Sequence, residues 1–357
     1  MSLEEYRRQI DALDQQILDL LRRRAEISYQ VGQEKARLGL PVYDPQREAA
    51  LLDQLTTADL GRLDGEAIRA IYRQIISFSR SLQQPPVVAY LGPEYTFSHL
   101  AAVKQFGDFC QFVPQPTIDE VFRTIERGNA DLGLVPIENS IQGVETRTVD
   151  SLIASPLLIC AELYVDVHIC LLACGERDQI RRLHSHPQPL AQCHNWLRAN
   201  LPGVERVPAA STAAAAAAVA EAKDPAQAAL ATAAAGEHYG LRILAENIED
   251  QPQNRTRFFV VGRLTPSRTG KDKTSLLFTT RHQSGALYSA LAPFSAHQIN
   301  LTLIQSRPAP DRLEGPHIFY VDLEGHQEDL AIREALRELR ELCPTLKVLG
   351  SYPSAPS

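Results

Sequence analysis

Residues 3–38 place Leu3, Tyr6, Ile10, Leu13, Ile17, Leu20, Ile27, Val31 and Leu38 at alternating spacings of three and four, with no glycine or proline before Gly32. That periodicity predicts one long helix with a continuous apolar seam. Pro45 is a good first-turn residue and predicts a second helix, and a third is expected from about 64 to 84. Gln83-Gln84-Pro85-Pro86 then breaks the helical pattern and marks a domain boundary.

Past residue 86 the texture changes. Short apolar runs at 87–91, 132–135, 163–172, 241–244 and 258–261 are separated by helical stretches, which predicts an α/β sheet. The alanine-rich stretch 213–222 reads as a close-packed helix with no chemistry of its own. Residues 263–273 gather proline, glycine, serine and several basic side chains, as an exposed connector does. Beyond it the order is strand (274–280), helix (285–297), strand (301–306), strand (317–323), helix (327–342) and strand (346–349), the ferredoxin-like plan. The expected modules are therefore 1–84, 87–262 and 273–350, and a chain of 357 residues should indeed hold two to three domains at roughly 150 residues each.

Composition removes several function classes. A hydrophobic content of 44% with 22% charged residues is that of globular protein. The net charge of -7 supplies no chain-wide basic field, and no arginine-rich tract alternates with aromatics, so nucleic acid is not an expected partner. Residues 1–20 carry charges every few positions, so neither a secretory signal nor a membrane span is expected. Cys110, Cys160, Cys170, Cys174, Cys193 and Cys343 lack a paired C-x-x-C framework and read as reduced thiols, which places the chain in the cytoplasm.

In the helical module, steps of seven from Leu3 give Ile10, Ile17, Arg24 and Val31, so Arg24 occupies an apolar slot and needs a partner. Lys35 follows Val31 by four and lies on or beside the same stripe. Asp44 and Glu48 share a face on the next helix, with Arg47 between them, and Ser79 and Gln83 are again four apart. Such groups on three successive helices suit a pocket for a small, multiply charged, oxygen-rich ligand. Together with Arg7, V-G-Q-E-K at 31–35 and D-P-Q-R-E at 44–48, they resemble the all-helical chorismate mutase family over residues 3–84. The resemblance implies an isomerase that turns chorismate into prephenate by an intramolecular pericyclic shift, without nucleophile, metal or base. The enzyme then has to hold a reactive conformer and stabilise charge growing on the ether oxygen. By the same resemblance Arg7, Arg24 and Arg47 face the two carboxylates, and Lys35 and Gln83 donate to the ether oxygen. Asp44, Glu48 and Ser79 hold the ring hydroxyl or their neighbours. With Gln83 as a neutral donor the site should tolerate physiological pH. Arg7 and Arg24 stand 17 residues apart, about 25 Å along one helix. One chorismate cannot touch both, so an intertwined homodimer is expected in which Arg7 comes from the partner subunit.

In the middle module, G-P-E-Y-T-F-S-H at 92–99 reads as a turn into a helix start, with Thr96 and Ser98 as candidate caps and backbone N–H groups suited to a carboxylate. His184, His186, Cys193 and His194 follow no common zinc-finger spacing, and their amide and hydroxyl neighbours favour hydrogen bonding over a metal. The runs I-E-N at 137–139, S-H-P-Q from Ser185, S-T-A-A from Ser211 and T-R-F from Thr256 together resemble prephenate dehydratase over residues 87–261. That resemblance implies a carbon–oxygen lyase with two α/β lobes around a cleft, like a type II periplasmic binding protein. Prephenate loses its carboxylate and ring hydroxyl as the ring becomes aromatic. Thr256 would hydrogen-bond or protonate the leaving hydroxyl, although a threonine hydroxyl is a feeble acid and the proton's ultimate source stays open. Asn139, Ser185 and Gln192 would orient substrate, and Arg257 would partner a carboxylate. Tyr95 departs from the family, where many relatives carry glycine, and reshapes the turn. No metal, nucleotide or flavin motif appears, so no cofactor is expected.

In the last module, Gly285-Ala286-Leu287 at a helix start and Gln305-Ser306-Arg307 after a strand resemble the amino-acid-binding motifs of ACT regulatory domains over about 273–350. The resemblance implies an α+β module that pairs across subunits and binds phenylalanine, which inhibits dehydration. Gln305 replaces the usual glutamate and Ser284 the frequent proline, so binding is expected to be weaker or its coupling changed. A purely structural dimerisation module, a dehydratase preferring arogenate, and a non-catalytic small-molecule sensor remain the alternatives. Taken together, the chain resembles the bifunctional chorismate mutase/prephenate dehydratases of phenylalanine biosynthesis.

Overall fold

The computed structural model describes residues 2–309 and 314–355. The chain divides into two compact units: the residues up to Val87 together with Phe106–Gln111, and the remainder.

The first unit holds α1 (Leu3–Leu38), α2 (Pro45–Thr56) and α3 (Gly65–Gln83). Each begins where capping chemistry dictates. Ser2 and Glu5 form a reciprocal capping box at α1, Asp44 accepts the Arg47 N–H at α2, and Asp64 accepts the Ala67 N–H at α3. Gly39, at φ +66°, stops α1. The predicted seam is not covered within the chain, since α1 buries none of its residues and Ile10 and Ile27 are 57% and 60% exposed. Contact with α3 is close at one point, where a Cβ on Gly32 would lie 2.7–2.9 Å from Gln83 Cγ, Cβ and Cα. The glycine of V-G-Q-E-K is therefore what lets α1 approach α3.

In the second unit β1 (Val87–Leu91), α4 (Phe97–Phe106), β2 (Gln111–Gln115), α5 (Ile118–Glu126), β3 (Leu132–Asn139), β4 (Gly143–Val144), α6 (Thr146–Ala154) and β5 (Leu158–Asp166) build one lobe. The other comprises β6 (Cys170–Ala173), β7 (Arg182–Ser185), α7 (Pro187–Gln192), α8 (His194–Asn200), β8 (Glu205–Pro208), α9 (Thr212–Ala222), β9 (Gln227–Ala231), α10 (Ala233–Tyr239) and β10 (Arg242–Ala245). β11 (Arg255–Gly262) returns to the first sheet, ordered β2-β1-β3-β11-β5, while the second runs β10-β6-β9-β7-β8. The apolar run 163–172, expected as one strand, is instead two. It breaks at 167–169, where the chain crosses between lobes and Val167 donates to the Asn254 carbonyl of the returning segment at 2.8 Å. Val167 and Ile169 are buried in that crossing, while Asp166 and His168 beside them are exposed, a polar mark that reading the stretch as one apolar run passes over.

The last module has β12 (Asp272–Thr279), α11 (Ala286–Ala296), β13 (Leu301–Pro308), β14 (His317–Glu324), α12 (Leu330–Leu342) and β15 (Leu346–Pro353), with sheet order β13-β14-β12-β15. One face, through Leu276, Phe278 and Val321, packs on Phe294, Leu336 and Leu339 of the two helices. The other lies on the first lobe, with β15 against β5, so these two modules form one unit. The connector before β12 is partly pinned: the Pro266 carbonyl faces His326 Nε2 at 3.2 Å.

Candidate active sites

The first unit gathers most of the predicted polar residues around α3. Arg24 donates to Ser79 Oγ and, at 3.5 Å, to the Ile75 carbonyl; half-burial pushes its pKa down. Gln83 Nε2 donates to the Ser79 carbonyl at 3.3 Å, and its Oε1 is buried without a partner among the described residues. Lys35 donates to the Val42 carbonyl at 2.8 Å, leaving further N–H groups on the ammonium. Glu48 is held by Arg80 at 3.3 Å; burial pushes the carboxyl's pKa up, opposed by Arg80 and Lys35 and helped by Asp44. Asp44 spends one oxygen on its cap, and Arg47 is exposed. Arg7 stands apart near the start of α1, paired only with Glu4 among the described residues.

Sequence reasoning missed Arg80. Its guanidinium, 4% exposed, also donates to the Phe106 carbonyl at 2.5 Å and sits 5.5 Å from the rings of Tyr43 and Phe106. The only signal was a cation beside Ser79 on the buried face of α3.

In the second unit a cavity of about 530 Å³ opens between the lobes. Asn139 and Thr256 meet there on adjacent strands, paired in register. Asn139 Nδ2 donates to Thr256 Oγ1 at 3.0 Å and to Asn254 Oδ1 at 2.8 Å, while its Oδ1 accepts the Ile141 and Gln142 N–H groups. Two backbone donors on Oδ1 settle the amide's orientation, so Thr256 receives a hydrogen bond and its own proton is free to point elsewhere. Gln192 also lines the cavity, with Nε2 buried and unpaired among the described residues.

Four helix N-termini converge on this cavity: α4 through Thr96 and Ser98, α6 through Glu145 and Thr146, α7 through His186 and Gln188, and α9 through Ser211 and Thr212. The described lining residues include no lysine or arginine, and the Glu145 carboxylate already caps α6, so the positive ends of the other three helices are what the cavity offers an anion. The alanine-rich helix is close-packed as expected, yet its first turn forms cavity wall.

Two predicted substrate residues lie elsewhere. Ser185 is fully buried at the end of β7 and donates to the Leu230 carbonyl at 2.9 Å. Arg257 is spent on internal carboxylates, Glu162 at 2.6 Å and Asp322 at 2.5 Å, with Tyr352 at 3.1 Å. Burial works to lower its pKa, but Tyr352, Asp322, Tyr320 and Glu162 outweigh that and hold it well above the ordinary value. Alternation on β11 contained this correction: if Thr256 and Phe258 face the cavity, Arg257 must face the other way. Tyr95 takes φ +64°, the conformation glycine adopts freely, and its ring stacks on His238 at 4.0 Å.

In the last module Gly285, at φ +77°, starts α11, and Ala286 and Leu287 are half-buried there. Gln305 and Arg307 share one face of β13 and Ser306 has the other. Arg307 pairs with Asp150 of α6, so its charge is engaged by the first lobe.

Among the described residues no three His, Cys, Asp or Glu side chains group as metal ligands, and no helix is long and apolar enough to cross a membrane. All six cysteines are free, and burial pushes the Cys160 thiol up to about 12.

These two polar sites and the appended sheet module define a multifunctional enzyme with an ACT-type domain. Family models match in succession: chorismate mutase type II over residues 6–84, prephenate dehydratase over 88–266 and ACT domain over 274–341. The bifunctional chorismate mutase/prephenate dehydratase of Aquifex aeolicus is 41% identical, covering 99% of this chain and 98% of its own, and that of Stutzerimonas stutzeri is equally similar with the same coverage. The prephenate dehydratase of Arthrobacter aurescens in complex with L-Phe, at 34% identity, matches with TM-score 0.70 over 75% of this chain and 90% of its own. The chain belongs to the bifunctional chorismate mutase/prephenate dehydratase family and is an enzyme with both activities.

Proposed function

We propose that the chain catalyses two consecutive steps of phenylalanine biosynthesis in the cytoplasm, chorismate to prephenate in the helical unit and prephenate to phenylpyruvate in the interlobe cavity. The observation that carries the second assignment is the Asn139–Thr256 pair set among four helix N-termini. Helix N-termini receive the carboxylates, and Thr256, accepting from Asn139, turns its own proton toward the departing ring hydroxyl. Carbon dioxide leaves with its bonding electrons retained by the ring, hydroxide leaves from the opposite carbon, and one proton taken up overall makes it water. Gln192 supplies a further donor from the cavity wall.

In the first unit, Arg24 and Arg47 bind carboxylates, Lys35 and Gln83 donate to the ether oxygen, and Asp44, Glu48 and Ser79 hold the hydroxyl and its surroundings. Glu48 reaches its position through Arg80. The uncovered seam of α1 supports a homodimer: a second α1 would bury it and bring Arg7 of the partner subunit to a site that the chain's own Arg7 cannot reach. Phenylalanine is the effector of the ACT module, at Gly285–Leu287 and Ser306, with Gln305 and Arg307 behind them.

Purified protein incubated with chorismate should release phenylpyruvate, with prephenate as a transient. Binding without turnover would favour a sensor, and turnover of arogenate alone would reassign the second substrate.

A further inference from the structure

α6 joins the ACT sheet to the dehydratase cavity, whose wall it forms with its first turn. Its nine residues span about 13.5 Å at ~1.5 Å per residue, and the two edge strands of the ACT sheet are separated by three spacings of ~4.8 Å, about 14 Å. The two edges hold its two ends. From β15, Lys347 Nζ donates to the carbonyls of Leu152 at 2.7 Å, Ile153 at 3.3 Å and Ser155 at 2.6 Å, so one ammonium caps the C-terminal end and meets the negative pole of the helix. From β13, Arg307 donates to the Thr146 carbonyl at 3.2 Å and pairs with Asp150 at 2.5 Å. Val144 and Thr146 line the dehydratase cavity on one side and, on the other, a small void walled by Leu277, Gln305, Ile318 and Tyr320 of the ACT sheet. Thr148 ties the helix to the Pro136 carbonyl of β3, the strand that carries Asn139.

We propose that Lys347 and Arg307 are positioning residues for dehydration: they grip α6 from opposite edges of the ACT sheet, hold Glu145 and Thr146 at the cavity wall, and couple the state of the ACT module to the rate there. The inference rests on the reading of that cavity as the dehydratase site. A sheet that changes its tilt or spacing when an effector binds moves both grips, and the rigid helix carries the movement to its first turn. Displacement there costs rate without removing any group that touches substrate.

The test uses the full-length chain, with prephenate as substrate, L-phenylalanine titrated against the rate, and chorismate turnover as an internal control. Lys347→Met should lower dehydratase kcat about tenfold with a smaller change in KM, and should flatten the phenylalanine response. Lys347→Arg, which keeps the donors, should restore most of both, and chorismate turnover should stay within about twofold of the parent. Asp150→Asn releases the other grip from the partly exposed side of the helix, so it decides the matter even where Lys347→Met does not fold; a roughly threefold fall is expected. Variants whose kcat, KM and phenylalanine response all match an active parent overturn the inference alone. A parent that forms no phenylpyruvate from prephenate overturns the reading of the cavity and the inference with it.

Discussion

Arg24 and Arg257 are the same residue type, each singled out by sequence as a carboxylate binder, and the two units use them in opposite ways. Arg24 is half-buried on a helix whose apolar seam lies open, and its contacts are a hydroxyl and a carbonyl. Arg257 is buried beneath the ACT sheet, and its charge is balanced by Glu162 and Asp322, whose side chains are fully buried. In the first unit α1 buries none of its residues, so Arg24 meets only a hydroxyl and a carbonyl of α3. In the second, ordinary cores already fill the two lobes, so a polar side chain on the wrong face of a strand becomes mortar between modules. A cation's role thus follows from which neighbours have already neutralised it.

The largest contrast should appear in stability. Arg257→Met leaves buried Asp322 without its cation and Glu162 with Lys273 alone, and should destabilise the second unit by about 3–5 kcal/mol, while Arg24→Met should shift the first unit by under ~1 kcal/mol and still abolish mutase activity. Chemical denaturation of the two variants tests the comparison, and equal stability losses would break it. Next come the catalytic crossings. Lys35→Ala should cut prephenate formation by about 10²–10³-fold and spare dehydration, and Thr256→Ala should do the reverse. Loss of both activities in either folded variant would show that the sites are not separate.

A smaller effect probes the approach of α1 to α3. Gly32→Ala puts a methyl 2.7–2.9 Å from atoms of Gln83 and should cost about 1–3 kcal/mol together with most of the mutase rate. Unchanged kinetics with chorismate would mean that this approach does not set the site. The smallest is a pH effect. Because burial raises the Glu48 pKa, falling pH protonates it sooner than an ordinary glutamate at about 4.3, loosening its pair with Arg80. The acid limb of mutase kcat/KM should therefore sit above that value, and Glu48→Gln should remove it; a limb at the ordinary position in both proteins would assign it elsewhere.

Much of the architecture could be read in advance because the relevant signals are local. The three helices of the first unit, the start of the second at Pro45, and the alternation of the last module follow from periodicity and end chemistry. The crossing at 167–169 was passed over because Asp166 and His168 alternate with buried Val167 and Ile169, a pattern that a half-buried strand also shows. Of the cavity residues, Asn139, Gln192 and Thr256 lay in recognisable motifs, whereas Glu145 and Thr146 belong to a helix whose importance depends on a sheet 160 and more residues away. Arg80 was invisible for the same reason: its carboxylate partner lies on another helix.

What the sequence alone determined, then, was the set of local elements, the order of the modules and the kinds of chemistry available, since spacing and side-chain type act over a few residues at a time. Only the tertiary structure decided that Ser185 and Arg257 serve the interior, that the ACT sheet shares a unit with the lobes, and that Lys347 and Arg307 hold one helix between them. Those outcomes depend on which groups meet across long separations, where a charge is satisfied by whatever carboxylate or carbonyl the fold delivers to it.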